Sequence, residues 1–236
     1  MVLGLKKPFV SAVILAAGES RRFGSGKQLL KIFGKTVIER SVAVFEAAPS
    51  YDEIVIVCQE EDKERIRAII SKMRAKKVSG IVTGGKTRSE SALMGTNAVS
   101  KKCEYIAIHD GARPLVSVDA VERVAADAFR YKGAILAVPV KDTVKISADG
   151  FVKDTPDRRR LYAAQTPQVF LYNEYCFALK EAIGSGIELT DDSQAFERLK
   201  KQVYLTEGER ENIKITFPED ADFARCVLKR RGETIK

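Results

Sequence analysis

The sequence contains few of the residues that build zinc sites or disulfides. It has one histidine and four dispersed cysteines in 236 residues, with no C-x-x-C pair. A structural zinc site needs closely spaced Cys and His ligands, so this pattern excludes the common zinc motifs. We predict that the cysteines are reduced and pack within the fold; they are Cys58, Cys103, Cys176 and Cys226.

Long hydrophobic runs are also missing. No apolar segment approaches the ~20 residues that a membrane-spanning helix requires, and the segment Met1–Pro8 lacks the apolar stretch of a secretory signal. No internal repeat and no low-complexity tract is present. Because 45% of the residues are hydrophobic, a substantial core is expected. We predict a cytoplasmic protein without a membrane partner, with one domain over residues 1–236.

Two common phosphate-binding motifs are absent from the loop that follows the apolar run Val10–Ala16. A P-loop would need glycine where Arg21 stands and a hydroxyl residue where Gln28 stands, and no G-x-G-x-x-G triplet occurs. The loop nevertheless contains glycines, and Arg22 and Lys27 supply positive charge. This composition favours a nucleotide-phosphate loop of a third kind. An ordinary solvated strand-to-helix turn is the alternative.

The chain carries an excess of positive charge. Lys and Arg number 40 against 32 Asp and Glu, a net charge of +8. This excess is compatible with nucleic acid or with a small polyanionic substrate. The cations of interest stand singly beside glycines and strand ends, which favours a converging pocket and no nucleic acid; they are Arg22, Lys27, Arg88, Arg113, Arg158 and Lys214. A non-catalytic RNA-binding module, with steeply salt-dependent affinity, is the rival from another class.

Short apolar runs alternate with segments of helical spacing. Strands are predicted at Val10–Ala16, Ile54–Cys58, Val78–Thr83, Tyr105–His109 and Ala134–Val140. Helices are predicted at Val37–Ala47, Asp62–Met73, Ser89–Val99 and Val118–Tyr131. The pattern predicts a doubly wound α/β fold, with a mostly parallel sheet and helices on both faces. Ligands of such folds bind at the carboxyl ends of the strands, where three of the predicted strands are followed by loops carrying glycine with cations or a carboxylate.

The pattern changes over residues 141–172, where short extended pieces surround turns. We predict a protruding β-arm there, and because an exposed strand pair is marginally stable alone, we expect it to be buried in a homodimer. Beyond the arm we predict helices at Glu174–Ile183 and Asp191–Lys200, with Thr190 as N-cap of the second. Further predictions are strands near Val203–Thr206 and Ile213–Thr216 and a closing helix from Pro218.

Several motifs in order now carry a family resemblance. They are Leu15-Ala16-Ala17-Gly18 with Arg22 and Lys27-Gln28, Gly84-Gly85 with Arg88 and Ser91, His109-Asp110-Gly111-Ala112-Arg113-Pro114, Pro139-Val140-Lys141-Asp142-Thr143, Thr166-Pro167-Gln168, Thr190-Asp191-Asp192 and Asn212-Ile213-Lys214. Over nearly its whole length the chain resembles the 2-C-methyl-D-erythritol 4-phosphate cytidylyltransferases of the non-mevalonate isoprenoid pathway, which have a nucleotide-diphospho-sugar transferase-like fold. A ribitol-5-phosphate cytidylyltransferase or a sugar-phosphate uridylyltransferase of the same fold is the nearest alternative.

The resemblance implies condensation of CTP with 2-C-methyl-D-erythritol 4-phosphate, and it implies the site. The expected catalytic residues are Arg22, Lys27, Arg158 and Lys214. The expected substrate-binding residues are Ala16, Ala17, Gly18, Gly85, Arg88, Ser91, Asp110, Arg113, Thr143, Thr166 and Thr190. Arg158 and Thr166 are assigned to the arm, so both would act on a neighbouring subunit. Asp110 is also the expected ligand of Mg²⁺, the implied cofactor, with helix capping as its alternative role, whereas His109 is expected to pack and not to titrate.

The chain departs from the family pattern at two loop positions. Ser20 stands where a second glycine is usual, and Gly26 precedes Lys27 where proline is more common. We expect the loop to be shaped differently and to be more mobile before CTP binds. Lys86, beside Gly85, replaces an acidic or polar residue of some relatives and bears on base recognition.

Overall fold

The computed structural model describes residues 7–18, Phe23 and residues 26–234. Within them the strands are β1 (Val10–Leu15), β2 (Lys31–Ile32), β3 (Lys35–Thr36), β4 (Glu53–Cys58), β5 (Val78–Thr83), β6 (Tyr105–Asp110), β7 (Gly133–Pro139), β8 (Ile146–Ala148), β9 (Phe151–Asp154), β10 (Tyr162–Leu171) and β11 (Tyr204–Glu207). The helices are α1 (Val37–Ala47), α2 (Lys63–Met73), α3 (Arg88–Ala98), α4 (Val118–Tyr131), α5 (Tyr172–Gly184), α6 (Ser193–Arg198) and α7 (Pro218–Arg230). No helix in these described ranges is long and apolar enough to cross a bilayer.

A central sheet has the strand order β11-β7-β10-β6-β1-β4-β5, and β10 alone among these described strands runs antiparallel to its neighbours. The side chains of the central sheet pack in two apolar layers, one on each face. On β1, Ala12 and Ile14 pack in one layer with α1 and α4, while Val13 and Leu15 pack in the other with α5 and α6. Because both faces are covered, β1 is buried along its length. The predicted doubly wound α/β fold is confirmed.

The sheet reverses its direction of growth beside β1. The chain moves outward from β1 through β4 to β5, and then returns to place β6 on the other side of β1. Leu15, the last residue of β1, pairs with Asp110, the last residue of β6. The carboxyl ends of these two strands therefore form a topological switch point, where open α/β sheets bind ligands.

The predicted arm over 141–172 is too long at its carboxyl end. Only the segment up to about Leu161 leaves the body, as the ribbon of β8 and β9 and a 3₁₀ turn at Arg158–Arg160. Residues 162–171 are strand β10, which lies inside the main sheet between β6 and β7. Strand β10 lacks a continuous apolar run, because it contains polar residues and Pro167, so the hydrophobic pattern does not predict it. Its pairing with β7 shifts register between Ala164 and Gln168, which accommodates a proline that has no N–H to donate.

Two predictions near the carboxyl terminus are wrong. Thr190 is not a helix N-cap, because α6 begins at Ser193 and the Thr190 N–H donates to Gln194 Oε1 at 2.9 Å. Residues 213–216 form no strand, and the Ile215 N–H donates to the carbonyl of Ala112, in the loop that follows β6, at 2.8 Å. The predicted strand at 203–206 and the closing helix from Pro218 are confirmed as β11 and α7.

Candidate active site

A cleft of about 310 Å³ opens at the switch point between β1 and β6. Loops that follow β1, β4, β5 and β6 line it, together with the segment that precedes α7. It brings together many of the predicted site residues: Ala17, Gly18, Lys27, Gly85, Arg88, Ser91, Asp110 and Lys214. Ala16, which precedes Ala17 in the chain, is buried, and Arg113 pairs with Asp110 without lining the cleft itself.

Asp110 is the centre of the cleft's electrostatics. Its Oδ2 lies 3.0 Å from Lys214 Nζ and 3.6 Å from Arg113 Nε. Its Oδ1 lies 3.3 Å from Arg88 Nη2. One carboxylate therefore holds three cations that come from α3, from the β6 loop and from the segment before α7.

These cations keep Asp110 ionised. Burial raises the pKa of the Asp110 carboxyl, but the positive charges of Arg88, Lys214 and Arg113 outweigh burial and hold that pKa well below its usual range. The group is therefore an anion across the physiological pH range. A buried anion with partly exposed cations around it is suited to receive further negative groups beside it.

A buried polar layer supports Asp110 from below. The Asp110 N–H donates to Thr166 Oγ1 at 3.0 Å, so the Thr166 hydroxyl is left to donate to His109 Nδ1 at 3.1 Å. His109 Nε2 then carries the proton and donates to the Arg113 carbonyl at 3.3 Å. Burial lowers the pKa of His109 to about 4, so the ring is neutral, in agreement with its expected packing role.

Glycines at the end of β5 allow a close approach of two loops. A Cβ on Gly84 would overlap Ala17 Cβ and lie 2.8 Å from Ser91 Oγ. Ser91 Oγ accepts a hydrogen bond from the Gly85 N–H at 3.1 Å. A capping box between Thr87 and Glu90 fixes the start of α3 beside this turn. The backbone at 84–85 is therefore held against the β1 loop.

Gly26, which directly precedes Lys27, has a φ of +59°, in the left-handed region. Proline, common at this position in the family, cannot adopt that angle because its ring fixes φ near −65°. The chain thus approaches Lys27 with a different backbone from a proline-containing loop. Arg22 and Ser20 lie outside the described residues, so the expectations placed on them are untested.

Besides Ala16 and Arg113, four more of the predicted site residues are absent from the cleft lining. Thr143 and Arg158 are exposed on the arm, where Arg158 Nη1 donates to the Lys141 carbonyl at 3.2 Å. Thr190 lines a separate cavity of about 250 Å³ beside β7 and β10. Thr166 is on β10, where its hydroxyl accepts from the Asp110 N–H of the same chain, so its assignment to the arm is wrong.

Three residues outside the predicted set also contribute to the cleft. Asp192 accepts from Arg88 Nη2 at 2.7 Å, and Gln59 Nε2 donates to the Ala17 carbonyl at 3.3 Å. Gln28 lines the cleft with its Oε1 buried, and this atom has no hydrogen-bond partner among the described residues. Asp192 and Gln28 belong to the motifs Thr190-Asp191-Asp192 and Lys27-Gln28, whereas the one sequence signal of Gln59 is its place after strand β4.

The donor set at Asp110 fits a magnesium ion shared with a phosphate ligand. Within the described ranges no group of three or more His, Cys, Asp or Glu side chains converges, and Asp110 is the one carboxylate among the described residues that line the cleft. Mg²⁺ takes one or two carboxylates and completes its shell with water and substrate phosphates. The orphaned Gln28 Oε1 in the same cleft is an acceptor suited to a metal-bound water.

The neutral state of His109 makes stability depend on pH. Because its folded pKa of about 4 lies below the ordinary value of 6.5, the unfolded chain binds a proton first as pH falls. Stability should therefore decline between pH 6.5 and pH 4, by about 3 kcal/mol from this group alone. Urea unfolding at a series of pH values measures the free energy of unfolding of wild type and of His109→Gln. The wild-type value should fall by about 3 kcal/mol relative to that of the variant between pH 6.5 and pH 4. Parallel curves for the two proteins would contradict the assignment.

Comparisons with known proteins agree with this geometry. The sequence model of the family described as "2-C-methyl-D-erythritol 4-phosphate cytidylyltransferase" matches residues 10–230. A relative of that name from Caldanaerobacter subterraneus subsp. tengcongensis is 43% identical over 225 residues, covering 94% of this chain and 99% of the relative. Another, from Thermosynechococcus vestitus, is 39% identical over 224 residues, covering 94% and 96%.

A solved structure supports the same relationship. The 4-diphosphocytidyl-2C-methyl-D-erythritol synthase from Anaerococcus prevotii superposes with a TM-score of 0.86 at 33% identity, covering 95% of this chain and 97% of that chain. Fold and sequence therefore point to the same family. The chain belongs to the 2-C-methyl-D-erythritol 4-phosphate cytidylyltransferase family.

Proposed function

We propose that this chain transfers the cytidylyl group of CTP to 2-C-methyl-D-erythritol 4-phosphate, giving 4-diphosphocytidyl-2-C-methyl-D-erythritol and pyrophosphate in non-mevalonate isoprenoid synthesis. Family membership assigns the reaction. The observation that carries the proposal is the convergence of three cations on Asp110 at the switch point. Such a cleft suits two small polyanions better than an extended nucleic acid. A cytoplasmic location remains a prediction from the sequence.

The reaction needs charge neutralisation more than proton transfer. The attacking phosphate monoester has a second pKa of ~6, so it is largely a dianion at neutral pH and needs no general base. The sole histidine is buried beneath Asp110 and hydrogen-bonded on both ring nitrogens. The cleft must instead bring together two anions and stabilise charge on the leaving pyrophosphate.

The cations divide between the two substrates. Arg22 and Lys27, in the loop after β1, are proposed to hold the triphosphate and stabilise the leaving group. Lys214 and Arg113 are proposed to receive the methylerythritol phosphate, since both already face the Asp110 carboxylate and can exchange it for a phosphate. Thr166 contributes by holding the Asp110 backbone in place.

Asp110 would hold Mg²⁺ against the phosphates of CTP. When bound, the metal would supply positive charge at the triphosphate. Asp110 stays anionic because its cationic neighbours lower its pKa, so it is ready to act as a ligand. Gln28 Oε1 would accept a hydrogen bond from water in the metal's shell.

The nucleoside is proposed to lie between the ends of β1 and β5. Backbone groups of Ala16, Ala17, Gly18 and Gly85, with the Ser91 hydroxyl, would contact the base and ribose. Arg88, at the first turn of α3, lies between these residues and Asp110. Gln59 supports the arrangement because it holds the Ala17 carbonyl.

The arm is proposed to complete a neighbouring subunit's site in a homodimer. Its strands expose apolar side chains, with Phe151 79% and Val152 65% exposed in the single chain. Such a ribbon is stable when another surface covers it. Thr143 and Arg158, both exposed on the arm, would then join the methylerythritol phosphate side in trans.

The assay that tests the function is pyrophosphate release from CTP with a panel of acceptors. CTP with 2-C-methyl-D-erythritol 4-phosphate should be the productive pair. Faster turnover with ribitol 5-phosphate, or with UTP and a sugar phosphate, would instead assign the chain to one of the two alternative activities of this fold.

Removing either cation of the β1 loop should lower turnover. Arg22→Ala and Lys27→Ala should each reduce kcat by about 10²-fold or more, with a modest change in nucleotide affinity, because the charge acts on the leaving group. Steady-state kinetics with CTP titration measures both. Near-normal kcat in both variants would remove this assignment; Lys72→Ala, on the distant helix α2, is the control.

Filling the close contact at Gly84 should weaken CTP binding. In Gly84→Ala the new methyl would meet Ala17 Cβ and Ser91 Oγ, so the two nucleoside-binding loops must separate. We expect the Kd for CTP to rise about tenfold or more. Gly184→Ala is the matched control, because a Cβ there meets no atom within 4 Å. Equal CTP affinity in both variants would contradict the proposed nucleoside site.

Sharing of sites between subunits can be tested by mixing inactive variants. In a dimer of one Arg158→Ala and one Lys27→Ala subunit, one site has both lesions and the other has neither. Random mixing should therefore restore about a quarter of wild-type activity if Arg158 acts in trans. If both residues act within one chain, every site keeps a lesion and the mixture stays inactive.

A further inference from the structure

Arg88 lies between two carboxylates, and its contacts with them differ. Its Nη2 donates to Asp192 Oδ2 at 2.7 Å. Toward Asp110 Oδ1, its Nε and Nη2 lie at 3.4 and 3.3 Å, longer than typical charge-assisted hydrogen bonds. The guanidinium is therefore bound firmly to Asp192 and loosely to Asp110.

Asp192 is itself fixed from the protein interior. Its side chain is 2% exposed, and its Oδ1 accepts a hydrogen bond from the Tyr175 hydroxyl at 2.6 Å. The Tyr175 ring stacks on Phe170 of β10, with centroids 5.3 Å apart. Asp192 thus connects the core between α5 and β10 to a cation in the cleft.

This ion pair is a poor source of stability, because burial of the Asp192 carboxylate, 2% exposed against 28% for the Arg88 side chain, costs much of what the pairing returns. Its position points to a different role. Free of Asp192, the planar Arg88 fork could form a bidentate pair with Asp110, the geometry that arginine and carboxylate favour. A carboxylate occupied in that way offers fewer lone pairs to a metal ion.

We propose that Asp192 is a positioning residue, which withholds the Arg88 guanidinium from a bidentate pair with Asp110 and so keeps the Asp110 carboxylate available to Mg²⁺ and phosphate. The inference rests on the proposed function of the cleft. Asp192 touches no substrate in this account and acts only through Arg88. Tyr175 assists because its hydroxyl fixes the orientation of the Asp192 carboxylate.

Asp192→Asn tests the proposal, because it removes the charge and keeps the shape. Rates measured against Mg²⁺ should show half-saturation at about tenfold higher metal concentration. At saturating Mg²⁺, kcat should return to within about threefold of wild type. Calorimetric titration of CTP should show the enhancement of CTP affinity by Mg²⁺ falling by the same factor, without turnover. A fall in unfolding temperature with unchanged Mg²⁺ dependence would overturn the proposal and leave a structural role.

The neighbouring Asp191→Asn is the matched control. Asp191 is also hydrogen-bonded, to Gln168 and Ser193, but contacts neither Arg88 nor Asp110. Its Mg²⁺ dependence should equal that of wild type. An equal shift in both variants would attribute the effect to general loss of negative charge.

The double variant Arg88→Gln/Asp192→Asn tests whether Asp192 acts through Arg88. Compared with Arg88→Gln alone, it should show no further change in Mg²⁺ dependence, because the competing guanidinium is gone. A full additional shift would contradict the proposal.

Tyr175→Phe keeps every charge, so it serves if Asp192→Asn does not fold. It should raise the half-saturating Mg²⁺ concentration about twofold, by loosening Asp192; an unchanged value would count against the proposal. If wild type transferred no cytidylyl group, the proposed function would fail, while the CTP and Mg²⁺ titrations would still decide the role of Asp192.

Discussion

A buried carboxylate that is kept ionised, Asp110, organises the rest of this molecule's chemistry. It ends a strand in the middle of a covered sheet, where burial alone would favour its neutral form. The charges of Arg88, Arg113 and Lys214 reverse that preference. Because the three come from separate segments, the carboxylate draws those segments together at one edge of the sheet. The cleft that is proposed to bind anionic substrates is thus organised around a buried anion, Asp110.

The local charge balance explains how the same cations can pair with carboxylates in the free protein and bind phosphates of the substrates. Around the described part of the cleft, Arg88, Arg113 and Lys214 face Asp110 and Asp192, which leaves one positive charge in excess. Substrate phosphates can replace carboxylate contacts without leaving the cations unpaired. The neutral His109 and Thr166 hold the Asp110 backbone in place without adding charge. The neutral pair of His109 and Thr166 therefore positions Asp110, while Arg88, Arg113 and Lys214 set the charge around it.

Much of the fold could be predicted from the sequence, because continuous apolar runs and helical spacing directly express burial on both faces of a sheet. Helices α1 and α4 and strand β5 begin and end at the predicted residues. Strand β10 could not be predicted in this way. Its buried Gln165, Thr166 and Gln168 are polar, and their burial depends on partners distant in sequence such as Glu209, His109 and Asp191. No local pattern contains those partners.

The same distinction applies to the site. Residues at strand ends, such as Asp110 and Lys27, could be predicted because topology brings strand ends to one edge. Thr190 lies outside the cleft because its position depends on how the chain enters α6, and no local pattern indicates the role of Asp192 because its contact with Arg88 spans 104 positions. Motif order located the cleft, while hydrogen bonds across the sheet determine which side chains face it.

The most direct test of the account is a crystal structure of the chain with CTP and Mg²⁺. We expect the triphosphate to lie beside Lys27, with a metal ion held between its phosphates and the Asp110 carboxylate. The base should lie against the backbone of Ala17 and Gly85. A triphosphate bound away from Asp110 and Lys27 would contradict the central claim that this anchored carboxylate and its cations form the reaction site.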